Sequence, residues 1–235
     1  MISHFTPFSE KVTLLGGGEL SAASVCECLT HAPNLVVCDG AAATALAMGL
    51  LPARVVGDLD SLDAATRARL DPATILEISE QDSTDFAKAL RTTEAPLILG
   101  VGFMGRRIDH ELACYNAMVR HAERACILVG EHDICFHAPA RLRLGVRPGT
   151  RVSLFPLAEV TVTATGLEWP LDALTLAPWA RVGTSNRAVA EMVEISPDGP
   201  GLLVIVPRAG LDAAIAALAG ETIRHSSARP MASPS

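Results

Sequence analysis

Up to about residue 130 the sequence repeats one pattern. A short apolar run is followed by a segment of helical character, and the next apolar run begins within a few residues. The runs fall at 12–15, 35–38, 54–56, 74–78, 96–100 and 126–129, and the helical segments at 20–29, 41–48, 64–70, from just after Ser83 or Thr84 to 90, and 111–124. Strands joined by helical crossovers pair in parallel and are covered on both faces, which suits such continuous apolar runs. The alternation therefore predicts a doubly wound, mainly parallel α/β sheet domain.

A parallel sheet gathers the carboxyl ends of its strands at one edge, where open α/β folds bind ligands. In this chain those ends are acidic. Cys38 is followed by Asp39-Gly40, Val56 by Gly57-Asp58-Leu59-Asp60-Ser61, and Ser79 by Glu80-Gln81-Asp82-Ser83-Thr84-Asp85. Gly57 is read as the turn that ends its strand. Asp58 and Asp60 should leave it on one side, because extended chain repeats its direction every two residues. Asp39, Asp58, Asp60 and Asp82 would then share one crevice, where their mutual repulsion calls for a hard divalent cation. The other reading is a solvated turn in which Asp58 or Asp60 caps the next helix.

Two further loops bear on the same edge. Gly16-Gly17-Gly18 ends the first strand and can bring backbone N–H groups close to a phosphate, or serve as a simple turn. Gly102-Phe103-Met104-Gly105-Arg106-Arg107-Ile108-Asp109-His110 follows the fifth run. An arginine fork there matches phosphate oxygens, or pairs with Asp109. Asp85 falls in the first turn of the helix capped by Ser83 or Thr84, with Lys88 a turn further on.

After about residue 135 the periodicity changes to two. Segments 141–144, 151–155 and 160–165 alternate apolar with polar, and the strand-like runs 189–195 and 202–206 continue the theme, with Pro148-Gly149, Asp198-Gly199 and Pro200-Gly201 as turns. This predicts a smaller antiparallel all-β sandwich. The expected division is 1–137 for the catalytic α/β domain, 138–210 for the β domain, and 211–235 for a mobile C-terminal tail with a helical turn or two at 211–218.

The 235 residues are 49% hydrophobic and 19% charged, enough to bury a sizeable core, and the net charge of −7 argues against a nucleic-acid surface. No apolar run reaches a membrane span, residues 1–11 lack the pattern of a secretory signal, and the six cysteines read as reduced. A cytoplasmic protein is expected.

Five motifs in order now carry a family likeness. They are Gly16-Gly17-Gly18, Cys38-Asp39-Gly40-Ala41-Ala42, Gly57-Asp58-Leu59-Asp60-Ser61, Asp82-Ser83-Thr84-Asp85-Phe86-Ala87-Lys88-Ala89-Leu90 and Gly105-Arg106-Arg107-Ile108-Asp109-His110-Glu111-Leu112. With Val152-Ser153-Leu154-Phe155-Pro156-Leu157, Gly166-Leu167-Glu168-Trp169-Pro170-Leu171 and Gly183-Thr184-Ser185-Asn186 in the second half, the chain resembles the thiamine pyrophosphokinases over about residues 12 to 207. The resemblance implies transfer of a pyrophosphoryl group from ATP to the thiamine hydroxyl, giving thiamine diphosphate and AMP, with Mg2+ and as a homodimer.

On that resemblance Asp39, Asp58, Asp60 and Asp82 are the magnesium ligands, and Gln81, Asp82, Asp85 and Lys88 hold the polyphosphate. Arg107, beside Asp109, contacts phosphate oxygens. Trp169, Thr184, Ser185 and Asn186 contact thiamine at the subunit interface, with Trp169 stacking on the ligand and 183–186 forming a polar turn. Members of the family often carry glycine where Arg106 stands and asparagine where Cys114 stands, so Arg106 is expected to matter less than Arg107. The competing readings are a non-catalytic nucleotide or thiamine sensor on the same scaffold, and a kinase that transfers only the γ-phosphate.

Overall fold

The computed structural model describes residues 6–225. Its first half alternates β1 (Val12–Leu15), α1 (Ala22–His31), β2 (Asn34–Cys38), α2 (Ala42–Ala47), β3 (Arg54–Gly57), α3 (Ala64–Arg67), β4 (Ile75–Glu77), α4 (Asp85–Thr92), β5 (Ile98–Val101), α5 (Ile108–Arg120) and β6 (Cys126–Val129). Every residue of β1, β3, β5 and β6 is buried, as strands covered on both faces must be. These six strands run parallel in the order β6-β5-β1-β2-β3-β4. The order reverses at β1, which pairs β2 on one side and β5 on the other, and so opens a crevice beyond the strand ends.

The second half contains β7 (Asp133–His137), β8 (Leu142–Gly145), β9 (Arg151–Pro156), β10 (Val160–Thr165), β11 (Leu171–Leu176), β12 (Gly183–Arg187), β13 (Met192–Pro197), β14 (Leu202–Pro207) and α6 (Leu211–His225). β7 turns back antiparallel on β6, and β14, β9 and β12 extend the same sheet to ten strands. The remaining strands form a separate antiparallel sheet in the order β11-β10-β13-β8. The α/β half and the β half thus share one large mixed sheet rather than two detached ones. β8 and β10 show the inside–outside alternation that period-two sequences produce.

Three strands differ from the sequence expectation. β7 and β11 were not foreseen, and residues 183–186, expected as a turn, belong to β12. That strand pairs with β9 through a bulge between Gly183 and Asn186. Its sequence, Gly-Thr-Ser-Asn-Arg, lacks an apolar face because it is the outermost strand of the large sheet. The C-terminal helix also runs well past the expected turn or two. Leu211, Ala214, Ile215 and Leu218 are buried at helical spacing, which docks α6 against β8. The rest of the expected mobile tail, 226–235, lies outside the described residues. Among the described residues no helix is long and apolar enough to cross a membrane.

Candidate active site

A cavity of about 530 Å³ occupies the crevice at the strand-order reversal. Its walls come from the loops after β1 (Gly17, Gly18), β2 (Gly40), β3 (Asp58), β4 (Gln81, Ser83) and β5 (Gly102, Arg107), together with Asp85 and Lys88 of α4. This is where the sequence placed the site.

Asp39, Asp58 and Asp60 each present a carboxylate oxygen, and these oxygens lie within 4.8 Å of one another. Asp39 is buried; its Oδ1 accepts from the Gly40 N–H at 2.6 Å and its Oδ2 from the Leu59 N–H at 2.8 Å. Asp58 Oδ2 accepts from Gln81 Nε2 at 3.0 Å and from Lys88 Nζ at 3.3 Å. Lys88, with 1% of its side chain exposed, also meets Asp85 at 3.5 Å. Asp82 does not join the three: its backbone N–H donates to Glu80 Oε2 at 2.8 Å, and its exposed side chain is outside the cluster.

Two local features build this cluster, and both differ from the sequence reading. Asp58 and Asp60 do not sit on extended chain. Leu59 between them has φ 67°, a left-handed conformation costly for a branched side chain, and strain of this kind collects at functional sites. Gly57 is the last residue of β3 rather than a turn. A Cβ there would stand 2.5 Å from Asp39 Cγ, so its bare Cα is what lets the carboxylate lie against the strand. The triple glycine likewise serves close packing. Gly16 and Gly18 donate their N–H groups to Val101 O and Gly102 O, each at 2.9 Å, so neither is free for a phosphate.

The charges are unevenly compensated. Burial, then the neighbouring Asp85, push the Asp39 carboxyl above the usual carboxylate range against the pull of its two backbone donors. Burial also raises Asp85, with Lys88 opposing. Asp58 is held down to about 2, chiefly by the Asp60 backbone N–H and Gln81. Burial works to strip the Lys88 proton, but Asp58 and Asp85 outweigh it and keep Lys88 above its ordinary value. One ammonium thus faces four carboxylates, and hard oxygen donors with surplus negative charge suit a divalent cation. Cys38 and Cys114 line the same cavity, but burial pushes both thiols up, Cys114 to about 12, so neither is a thiolate nucleophile.

Two glutamates that sequence reasoning passed over shape the rim. Glu80 accepts from Ser83 Oγ at 2.5 Å and Arg91 Nη2 at 2.7 Å, holding the loop that aims Gln81 at Asp58. Glu111 accepts from the Gly105 N–H at 2.8 Å and from the Tyr115 hydroxyl at 2.5 Å, and so holds the loop after β5. Spacing along the chain gives no sign of either role. Arg107 is claimed by Asp109, with Nε to Oδ1 at 3.2 Å and Nη2 to Oδ2 at 2.7 Å.

The low carboxyls set an acid limit. Asp58, Glu80 and Asp109 are each held to about 2, Glu80 mainly by the Ser83 hydroxyl and Asp109 mainly by Arg107, against an ordinary value near 4. A carboxyl that is more acidic folded than unfolded stabilises the fold above its unfolded pKa, and that stability is lost as pH falls through the folded one. The melting temperature should therefore hold down to about pH 4 and fall towards pH 2. Glu80→Gln should flatten the fall; an unchanged profile would mean that Glu80 does not contribute.

The β-half residues lie elsewhere. Trp169 is 58% exposed, and buried Asn186 pins its segment: Nδ2 donates to Trp169 O at 2.7 Å and Oδ1 accepts from its N–H at 3.2 Å. Thr184 and Ser185 are exposed on β12; Ser185 has φ 62° and donates its N–H to Ser153 Oγ at 3.0 Å. Among the described residues, none beyond Cys114 lines the acidic cavity. Asn186 is thus brought to Trp169, while the group as a whole is not brought to the carboxylates.

Comparison with known proteins agrees with this two-part layout. The family model "Thiamin pyrophosphokinase, catalytic domain" matches residues 25–129, and "Thiamin pyrophosphokinase, vitamin B1 binding domain" matches 136–202. The chain belongs to the thiamine pyrophosphokinase family. Thiamine pyrophosphokinase 1 of Oryza sativa subsp. japonica is 26% identical over 166 residues, covering 63% of this chain and 63% of the rice protein. Thiamine pyrophosphokinase 1 of Arabidopsis thaliana is 24% identical over 180 residues, 68% of this chain and 67% of that one. The chain therefore spans just under two thirds of the rice relative. The crystal structure of thiamin pyrophosphokinase from Geobacillus thermodenitrificans shares the fold, with TM-score 0.68 at 24% identity over 83% of this chain and 96% of its own. The Candida albicans enzyme gives 0.70 at 15% identity, covering 85% and 89%.

Proposed function

We propose that the protein transfers the pyrophosphoryl group of ATP to thiamine. The thiamine hydroxyl oxygen bonds to the β-phosphorus, the bond from that phosphorus to the α,β-bridging oxygen breaks, and AMP leaves with the oxygen. The observation that carries this reading is the set Asp39, Asp58 and Asp60 around one point, beside a buried lysine, at the strand-order reversal of a sheet from this family.

Phosphoryl-type transfer relies on positioning and charge neutralisation more than on covalent catalysis. Asp39, Asp58 and Asp60 would hold Mg2+, which supplies positive charge to the polyphosphate in an otherwise acidic crevice. Lys88, fixed by Asp58 and Asp85, keeps its proton at neutral pH and offers a second positive charge. Gln81 fixes the Asp58 carboxylate. All six cysteines are free, as suits an enzyme working in the reducing cytoplasm. Incubating the protein with ATP, Mg2+ and thiamine and identifying the nucleotide product tests the reading. AMP with thiamine diphosphate is expected; ADP would indicate γ-phosphate transfer, and no turnover a binding protein.

Thiamine is assigned to a homodimer interface, between the β half of one subunit and the acidic cavity of its partner. The separation of Trp169 and Ser185 from the cavity lining supports this, as do the exposed Trp169 and Trp179 of the β half. Mixing the inactive variants Asp58→Asn and Ser185→Trp should recover about a quarter of wild-type activity after random re-pairing, because each mixed dimer regains one intact site. Background activity after confirmed subunit exchange would show that each subunit builds its own site.

A further inference from the structure

The loop after β5 sets Arg106 and Arg107 side by side at the cavity, in different surroundings. Arg107 is a bidentate partner of Asp109. Arg106 has no ion-pair partner among the described residues, is exposed, and lines the acidic cavity.

Its backbone is also unusual. Arg106 has φ 53°, and the Arg107 N–H donates to Gly105 O at 2.6 Å, closing a three-residue turn centred on Arg106. Glu111 anchors the same turn through the Gly105 N–H. A glycine would take this conformation without strain, whereas arginine takes it at a cost. A strained backbone that presents an uncommitted guanidinium at a cavity is the arrangement expected of a ligand contact. Lys88 is already shared between Asp58 and Asp85, so Arg106 is left as an uncommitted guanidinium for an anion.

We infer that Arg106 binds the phosphate oxygens of the polyphosphate substrate and gives this chain an anion contact that a glycine at the position could not make. This rests on the reading of the cavity as an ATP site. The guanidinium acts in binding, through charge-assisted hydrogen bonds, and leaves the chemistry to the carboxylates and Lys88.

The test measures calorimetric binding of Mg-ATP and of magnesium tripolyphosphate to wild type, Arg106→Gly and Arg106→Lys, beside their melting temperatures. Arg106→Gly should weaken both ligands about tenfold. Its melting temperature should stay level or rise, since glycine relieves the strained turn. Arg106→Lys, which keeps a charge without the fork, should fall between. Unchanged ATP affinity in Arg106→Gly, with wild type binding normally, would overturn this inference alone. A loss for ATP without a loss for tripolyphosphate would move the contact from phosphate to base and overturn it too. Wild type that binds neither ligand would overturn both this inference and the ATP-site reading.

Discussion

Asp58→Asn should lower kcat at least about 100-fold, near 3 kcal/mol of barrier, with the fold intact. Asp58 is the hub of the acidic set. One of its oxygens takes both Gln81 and Lys88, the other the Asp60 N–H, and its side chain keeps 13% exposure towards the cavity. Asparagine preserves the shape but removes the charge that orients Lys88 and that the proposed cation would need. The fold should survive because Lys88 still meets Asp85 and the position borders the cavity. Circular dichroism and melting would establish that, and turnover would be measured across a magnesium titration. Asp60→Asn should behave alike. Near-native turnover at saturating magnesium would sink the metal assignment, and a large stability loss with normal turnover would make the turn a structural one.

Gly57→Ala should be comparably damaging, although alanine is unremarkable in a strand. The new methyl would stand 2.5 Å from Asp39 Cγ and within 2.8 Å of both its oxygens. Asp39 is buried and tied to two backbone N–H groups, so it has little room to yield. Overpacking of this kind costs about 1–3 kcal/mol of stability. The displaced carboxylate should also lower turnover about 100-fold, the scale expected of a lost charge contact in the transition state. The double variant Gly57→Ala, Asp39→Ala separates the two effects. Truncating Asp39 removes the clash but also the acceptor of two N–H groups, so the double variant should be less destabilised than the sum of the two single variants while activity stays lost, a non-additivity expected of contacting residues. Gly57→Ala with native melting and native turnover would mean that the Asp39 carboxylate is not fixed against β3.

The sequence by itself determined the parallel α/β half. Its strands are short and fully apolar, and period and composition leave few other arrangements for such runs. It also marked the acidic edge, because carboxylates at successive strand ends must converge once those strands pair in parallel. What it left undetermined depended on neighbours distant in the chain. β12 has no apolar face to read, and its pairing with β9 makes it a strand. That Asp109 pairs with Arg107 and not with Arg106 shows only in the folded loop, since two adjacent arginines look alike in sequence. Asp39 meets Gly57 because β2 and β3 pair with Cys38 opposite Val56, which sets the next residues side by side. Asp58 and Asp60 close on Asp39 because Leu59 turns left-handed and donates its N–H to that same carboxylate. Local propensity disfavours that conformation for leucine, so only the completed packing of β2 against β3 selects it.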